Sequence, residues 1–415
     1  MLSLRSEIAS LTRSEKLFIL FAMLTAFCVS GEYGITRPVS QSIFLAIFKA
    51  SSYPAFWLAT VPLNFAIVYL YTRFLPKIGP LRMMAICTIA VMSVNIMTAF
   101  LLPYFPSIIF FHFCWKDIYV LLMFKQLWSM IHSTISSGRA KLLFGAIYGV
   151  GMCGGVCGSM IPGFLAPHFG SVPLLYFSLP IYTVLFFAYR SAYYRSGAGK
   201  LVSSVDEHES SFAGFAMIAR SRYLLGILLL VVFMQITVAL LDYQFSHRIE
   251  IAIPSLDLRT AFYGKLIGAI NLFSMGLQFI GSFLMIRFLG LKNSHYLIPL
   301  ILCAATIGQW IVPGLVMITF AYSLTKSLDY SLFGIIREML FLPLKLDEKF
   351  RAKAVIDVFA YRTSKALASF LLLGLQFFVG SQVATLTNAV LMGIFIAWIG
   401  VVTLIFKKQE QAYQV

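Results

Sequence analysis

The stretch TKSLDYSLFGIIREM, residues 325–339, sets Lys326, Asp329, Arg337 and Glu338 within or directly beside apolar sequence. In a soluble helix such charges would mark a solvated face. In a membrane helix each would be a buried ionisable group, costing roughly 2.5–3.5 kcal/mol at mid-bilayer on insertion scales. The surrounding chain decides between these readings. Apolar runs near 20 residues recur on both sides and from end to end, the length that spans a bilayer core. Hydrophobic residues fill 60% of the 415 positions and charged residues only 12%, with a mean hydropathy of +0.87. A soluble chain of this length needs far more polar surface. The fold class expected is an all-α polytopic membrane protein, and no polar stretch is long enough to build a soluble domain.

About twelve spans are expected. The first runs from about Leu17 to Ile47, interrupted by Gly34 and Pro38. The others begin near Pro54, Leu81, Asp117, Leu142, Pro173, Tyr223, Ala261, Leu297, Pro313, Val355 and Thr385. The basic N-terminus leads into Glu32 and Arg37 rather than a small-residue cleavage site, so it reads as a first membrane helix. The longest polar stretch, with SGAGKLVSSVDEHESS inside it, separates the sixth and seventh spans. The expected organisation is a six-helix bundle over 1–189, a cytoplasmic linker over 190–222 and a second six-helix bundle over 223–415. Two six-helix halves joined by a polar linker is the major-facilitator layout.

The net charge of +16 does not point to nucleic acid, because most Lys and Arg residues sit in short segments between apolar runs. Arg73, Lys77, Arg82, Arg139, Lys141, Arg190, Arg195, Lys200, Arg287 and Lys292 all fall on one side, with Arg5, Arg13, Lys16, Lys407 and Lys408. The opposite loops carry little beyond Lys49, Arg248 and Arg259. The positive-inside rule then places both termini in the cytoplasm, which suits a bacterial inner membrane. Six scattered cysteines suit packing better than a disulfide frame. The six histidines have no metal-ligand spacing and no catalytic triad or carboxylate dyad can be assembled, so neither an enzyme nor a cofactor is expected.

Several spans hold ionisable residues: Glu32 and Arg37 in the first, Lys116, Asp117 and Lys125 in the fourth, Asp242 ending the seventh, Lys265 in the eighth, and Lys326 and Asp329 in the tenth. At about 100° per residue, Tyr322, Lys326, Asp329, Tyr330, Phe333 and Arg337 share one stripe of the tenth span. Lys125, Ser129 and His132 repeat at i, i+4, i+7, and Arg37 lies near Ser40 and Gln41. Polar stripes on several helices suit a central cavity. Interhelical ion pairs are the plainer account: Lys326 with Asp329, or Lys116 with Asp117 on another helix. Arg37, Lys125 and Lys265 nevertheless leave more cations than carboxylates, and surplus buried positive charge calls for an anion or water. A phosphate- or carboxylate-bearing substrate is the natural partner. The fifth span, YGVGMCGGVCGSMIPG, carries Gly151, Gly155 and Gly158 for close helix packing, with a hinge as the other reading. Trp115, Tyr119, Trp128 and Tyr330 lie beside the charges, as packing or as stacking surfaces for a ring.

Three segments carry a more specific signal: FCWKDIYVLLMFKQLWSMIHSTI, LLDYQFSHRI with AFYGKLIGAINL, and TKSLDYSLFGIIREMLFLPLKLDEKFRAKAVIDVFAYRTSKA. Together they resemble the ATP/ADP translocase family of plastids and intracellular bacteria. The resemblance implies a major-facilitator-like fold that exchanges nucleotides or related anions by alternating access. It maps the family's acid at the end of the seventh span onto Asp242, and the charged positions of its "KGKAAIDV" segment onto Lys353 and Asp357. The family's first-span "RDTKD" reads TRPVSQS here, with Arg37 kept, Ser40 in place of Lys and Gln41 in place of Asp. In the fourth span Lys125 and Gln126 stand near the position of the family's acid.

The expected protein is a secondary transporter of a nucleotide or nucleotide-like anion, with ATP/ADP exchange the specific form. A carrier or exporter of a non-nucleotide anionic metabolite on the same fold stays open. Arg37, Lys116, Lys125, Lys265, Lys326, Lys353 and Tyr330 are the candidate substrate-binding residues. Asp117, Asp242, Asp329 and Asp357 are the candidates for gating or coupling. The expected partners are a small anionic substrate and the lipid bilayer, without nucleic acid.

Overall fold

The computed structural model describes residues 12–134, 137–196, 217–344, 353, 355–356, 360–380 and 383–412, and among these it is helical, without a strand. Backbone-satisfying helices are what a chain this apolar must form, because lipid offers no partner for a free N–H or C=O. The helices are α1 (Arg13–Phe48), α2 (Tyr53–Ile78), α3 (Pro80–Leu101), α4 (Ile108–Thr134), α5 (Ser137–Phe169), α6 (Ser178–Ser196) and α7 (Arg222–Ala252). They continue as α8 (Leu256–Gly276), α9 (Ser282–Ile311), α10 (Leu315–Leu328), α11 (Gly334–Leu340), α12 (Tyr361–Val379) and α13 (Val383–Ala412).

A π turn over Leu277–Gly281 joins α8 to α9, and another over Asp329–Phe333 joins α10 to α11. Gly290, at φ 72° and ψ 168°, breaks α9 in a conformation open essentially to glycine alone. Counted as rods, the described residues form twelve: α1 to α7, then 256–289, 291–311, 315–340, α12 and α13. Among the described residues, eight helical stretches are by themselves long and apolar enough to cross a membrane. The chain is an integral, multi-pass membrane protein. Rods that fall short on their own include α4, which carries Lys116, Asp117 and Lys125, and 315–340, which is divided by its π turn.

Two boundaries differ from expectation. The first helix is unbroken through Gly34 and Pro38. Gly34 explains how: a Cβ there would lie 2.8 Å from the Ser159 amide nitrogen and 2.9 Å from the Gly155 carbonyl oxygen, so α5 braces α1 where Pro38 removes a hydrogen bond. The fourth helix begins at Ile108 rather than near Asp117, because the apolar run IIFFHFC is its first two turns. Lys116 and Asp117 are therefore held inside the helix and not at its mouth.

The backbone groups into two compact units. The first comprises Met1–Ile47, Pro62–Ser204 and Ser255–Leu272, and the second Phe48–Val61, Val205–Pro254 and Phe273–Val415. In the first unit, Phe18, Ala22 and Val29 of α1 pack with Met84, Val91, Tyr119, Met123, Leu127, Tyr182 and Tyr189. The glycines of α5 fix how near α1 comes. A Cβ on Gly158 would be driven into the Gly31 carbonyl, and one on Gly154 into the Phe27 carbonyl. Lipid is as apolar as leucine, so this close backbone contact, rather than exclusion of water, holds the pair together. In the second unit, α7 lies among α10, α12 and α13. Trp398 is fully buried there, 5.7 Å from the Phe333 ring and 6.5 Å from that of Phe233. Ser221 caps α7 by accepting from the Leu224 N–H at 3.3 Å.

Candidate functional site

Each unit carries its own cluster of ionisable and aromatic side chains. In the first unit, Arg37 is half-buried on α1 with its guanidinium 5.9 Å from the Tyr33 ring. The Tyr33 hydroxyl donates to Asp117 Oδ1 at 3.0 Å. The same oxygen receives Lys116 Nζ at 2.9 Å, and that ammonium also lies 4.1 Å from the Phe113 ring. Lys116 is buried while Asp117 keeps 29% of its side chain exposed. The Lys116–Asp117 pair is thus made between neighbours on one helix, not between helices. It works because the long lysine stem folds back along Phe113.

Lys125 stands about two turns further along α4, exposed, as are Ser129 and His132 on the same face. Lys265 is exposed on α8, its ammonium 5.2 Å from the Phe164 ring. Arg37, Lys116, Lys125 and Lys265 all belong to the first unit. Asp117 and the fully buried Glu32 belong to the same unit.

The second unit carries a different arrangement. Lys326 is 7% exposed and lies 3.6 Å from Asp242 Oδ2, with the Tyr322 and Tyr330 ring centroids 5.6 and 6.0 Å from its nitrogen. The carboxylate at ion-pair distance from Lys326 is Asp242 on α7, in place of the Asp329 one turn away that spacing suggests. Asp329 instead accepts from Gln235 Nε2 at 2.8 Å. Tyr322 stacks on Phe245 at 4.3 Å and 11°, which fixes the ring beneath the ammonium. Lys326 thus pairs with Asp242, while Asp329 is held by an amide.

The π turn alters the stripe inferred for this helix. It accommodates an extra residue, so a 100° count cannot be carried past Asp329. Tyr330 lies within the turn itself, and Arg337 is buried beyond it with Nη2 3.1 Å from Glu338 Oε1. Lys353 Nζ takes the other oxygen of Glu338 at 2.6 Å. Asp357 lies outside the described residues.

One polar hub escapes sequence reasoning except for its central carboxylate. Glu32 is fully buried. Its Oε1 accepts from Thr36 Oγ1 at 2.5 Å and Asn95 Nδ2 at 3.0 Å, and its Oε2 from Tyr119 at 2.7 Å and Tyr182 at 3.1 Å. Asn95 Oδ1 in turn meets His112 Nε2 at 3.0 Å. Two donors on each oxygen saturate the carboxylate and tie α1, α3, α4 and α6 together. The available signal was a lone Asn and a lone His inside apolar runs, which carries no indication of what they face.

The family model for the TLC ATP/ADP transporter matches residues 311–409. This range contains Lys326, Asp329, Tyr330 and Lys353. Two curated relatives, each called ADP,ATP carrier protein 1, come from Chlamydia trachomatis serovar D and Chlamydia muridarum. The first is 27% identical over 190 residues and the second 28% over 189, in both cases 40% of this chain and 35% of the relative. The chain thus resembles this transporter family over less than half of its length. Its match spans about a third of the length of those relatives. Solved structures extend the likeness to nearly the whole chain. The nucleoside transporter NupG aligns with a TM-score of 0.65 at 13% identity, over 94% of this chain and 99% of its own. A bacterial homologue of the iron transporter ferroportin, in an inward-facing state, aligns at 0.66 and 14%, with the same coverage. At such identities the likeness is one of fold, and the fold is that of major-facilitator-type transporters.

Proposed function

We propose that this protein is a secondary carrier that moves a nucleotide or nucleotide-like anion across the membrane by alternating access. The observation that carries the reading is the gathering of Arg37, Lys116, Lys125 and Lys265 in the first unit, where the carboxylates on the same helices include Asp117 and Glu32, and Glu32 already accepts four neutral hydrogen bonds. An exposed charge on a membrane helix has to meet water or a counter-ion rather than lipid, and a phosphate group supplies that counter-ion. Arg37 offers a planar fork of donors for a phosphate, while lysines act as point charges.

The second unit would supply the switch. Lys326 lies 3.6 Å from Asp242, and an arriving anion would compete for that ammonium. Asp242, once released, becomes available to another cation, so the pair links occupancy to conformation. Asp329, fixed by Gln235, and Asp117, shared by Lys116 and Tyr33, would gate in the same manner. Lys353 would act indirectly through Glu338. The match to an ATP/ADP transporter model makes exchange of the two nucleotides the specific form of this proposal. The charge of the connecting segments supports a bacterial inner membrane with both termini in the cytoplasm.

A specific observation favours a second reading, transport of another organic anion. Ser40 and Gln41, which replace the family's Lys and Asp, are buried and uncharged, and Ser40 Oγ donates to the Arg37 carbonyl at 3.3 Å. The test is uptake by intact expressing cells of labelled ATP, ADP, other nucleotides and non-nucleotide organic anions. Nucleotide-selective uptake supports the proposal. Uptake confined to non-nucleotide anions overturns it in favour of the second reading.

A further inference from the structure

The second unit holds a cavity of about 620 Å³ at the end opposite Ala412, formed by the end of α7, the turn from α9 to α10, the end of α12 and the start of α13. It lies apart from the Lys326 cluster, which contributes none of its lining. Its floor is a chain of amides. Gln244 Nε2 donates to Asn388 Oδ1 at 2.9 Å and to the Ala384 carbonyl at 3.3 Å, and Gln244 Oε1 accepts from Gln309 Nε2 at 2.5 Å. Gln309 Oε1 is buried with no donor among the described residues. A buried acceptor left unmatched costs on the order of 1–3 kcal/mol, and a ligand N–H entering the cavity would satisfy it.

The walls are aromatic and basic. Tyr243 and His247 stack at 6.4 Å and 6°, and Tyr243 is held by Gln376 Nε2 at 3.0 Å. Trp310 and Arg248, both exposed, also line it, and among the described residues the lining includes no acidic one. The volume is within the roughly 300–1,000 Å³ usual for small-molecule sites. Amides read the edge of a flat polar ring, the indole offers a face for it, and the guanidinium takes an anionic tail.

We propose that this cavity is a second binding site, for an organic anion bearing a flat hydrogen-bonding ring, and that it stages cargo ahead of transport. Only the staging role rests on the carrier reading above. Binding itself does not.

The test uses the full chain in detergent with adenosine monophosphate, adenosine and inorganic phosphate as probes, measured by calorimetry. A Lys326→Ala background disables the other cluster of the same unit. Saturable binding of the monophosphate should persist there, weaken at least tenfold on adding Arg248→Ala, and weaken again with Trp310→Ala. Adenosine and phosphate should each bind at least tenfold less tightly than the monophosphate. Binding that is absent in Lys326→Ala, or unchanged by both Arg248→Ala and Trp310→Ala, overturns the proposal. So does phosphate binding as tightly as the monophosphate. If the cavity binds while intact cells take up no nucleotide, the site stands and the carrier reading fails.

Discussion

Lys326, buried, and Asp242, half-buried, form a pair in which neither charge can be removed cheaply. Losing one partner of such a pair costs about 3–5 kcal/mol, because the other is left uncompensated, whereas removing both is often close to neutral. Lys326→Met and Asp242→Asn should therefore each lower the melting temperature of the purified protein. The double variant should melt within a few degrees of the wild type yet remain inactive in transport. A double variant as unstable as the two losses combined would show that the side chains do not act as a pair. Glu32 gives a second test at this scale. Glu32→Gln turns an amide NH₂ toward donors where a carboxylate oxygen now accepts two hydrogen bonds, and about 1–3 kcal/mol should be lost. An unchanged melting temperature would mean that the four-donor hub contributes nothing to the fold. That ionisable groups gather inside the helices was legible from the sequence, since composition makes them conspicuous. Their partners were not: Asp242 and Lys326 are 84 positions apart, Glu32 and Tyr182 are 150, and helical phase says nothing about which face meets which.

The contact of α1 with α5 is the clearest case of an element fixed by residues that lack side chains. Gly34, Gly154 and Gly158 have no room for a Cβ, whereas Gly145 on the same α5 has open space around it. Gly158→Val should abolish the folded, monodisperse fraction in fluorescence-detected size exclusion, and Gly145→Ala should elute as wild type. Equal profiles for the two would refute backbone-to-backbone packing as the brace of this helix pair. The glycine spacing in the sequence suggested the contact, and the structure supplies its partner. The tenth span was less readable. A regular helix is the natural assumption for LTKSLDYSLFGIIREML, and a π turn has no compositional mark, so the stripe could be followed only as far as Asp329. In the fourth span the charges drew the expected start toward Asp117, although the two turns before it are apolar.

At the scale of the whole molecule, apolar run lengths and the spacing of charged segments suffice for the architecture, because both follow directly from bilayer thickness and the cost of burying polar backbone. Sidedness rests on loop charge. A C-terminal green fluorescent protein fusion should be bright and a C-terminal alkaline phosphatase fusion inactive in bacterial cells, and the reverse pattern would invert the orientation. The cargo is the part that neither run lengths nor fold determine. It depends on a few side chains, and the first span departs from the ATP/ADP translocase pattern it resembles at Ser40 and Gln41. The most direct measurement is counterflow in liposomes containing the purified protein, loaded with unlabelled ADP and supplied with labelled ATP. The account predicts saturable accumulation of label that is lost in Arg37→Ala and Lys326→Ala variants shown to be monodisperse and correctly inserted. No accumulation of any nucleotide by the wild-type protein, or full accumulation by both variants, would contradict it.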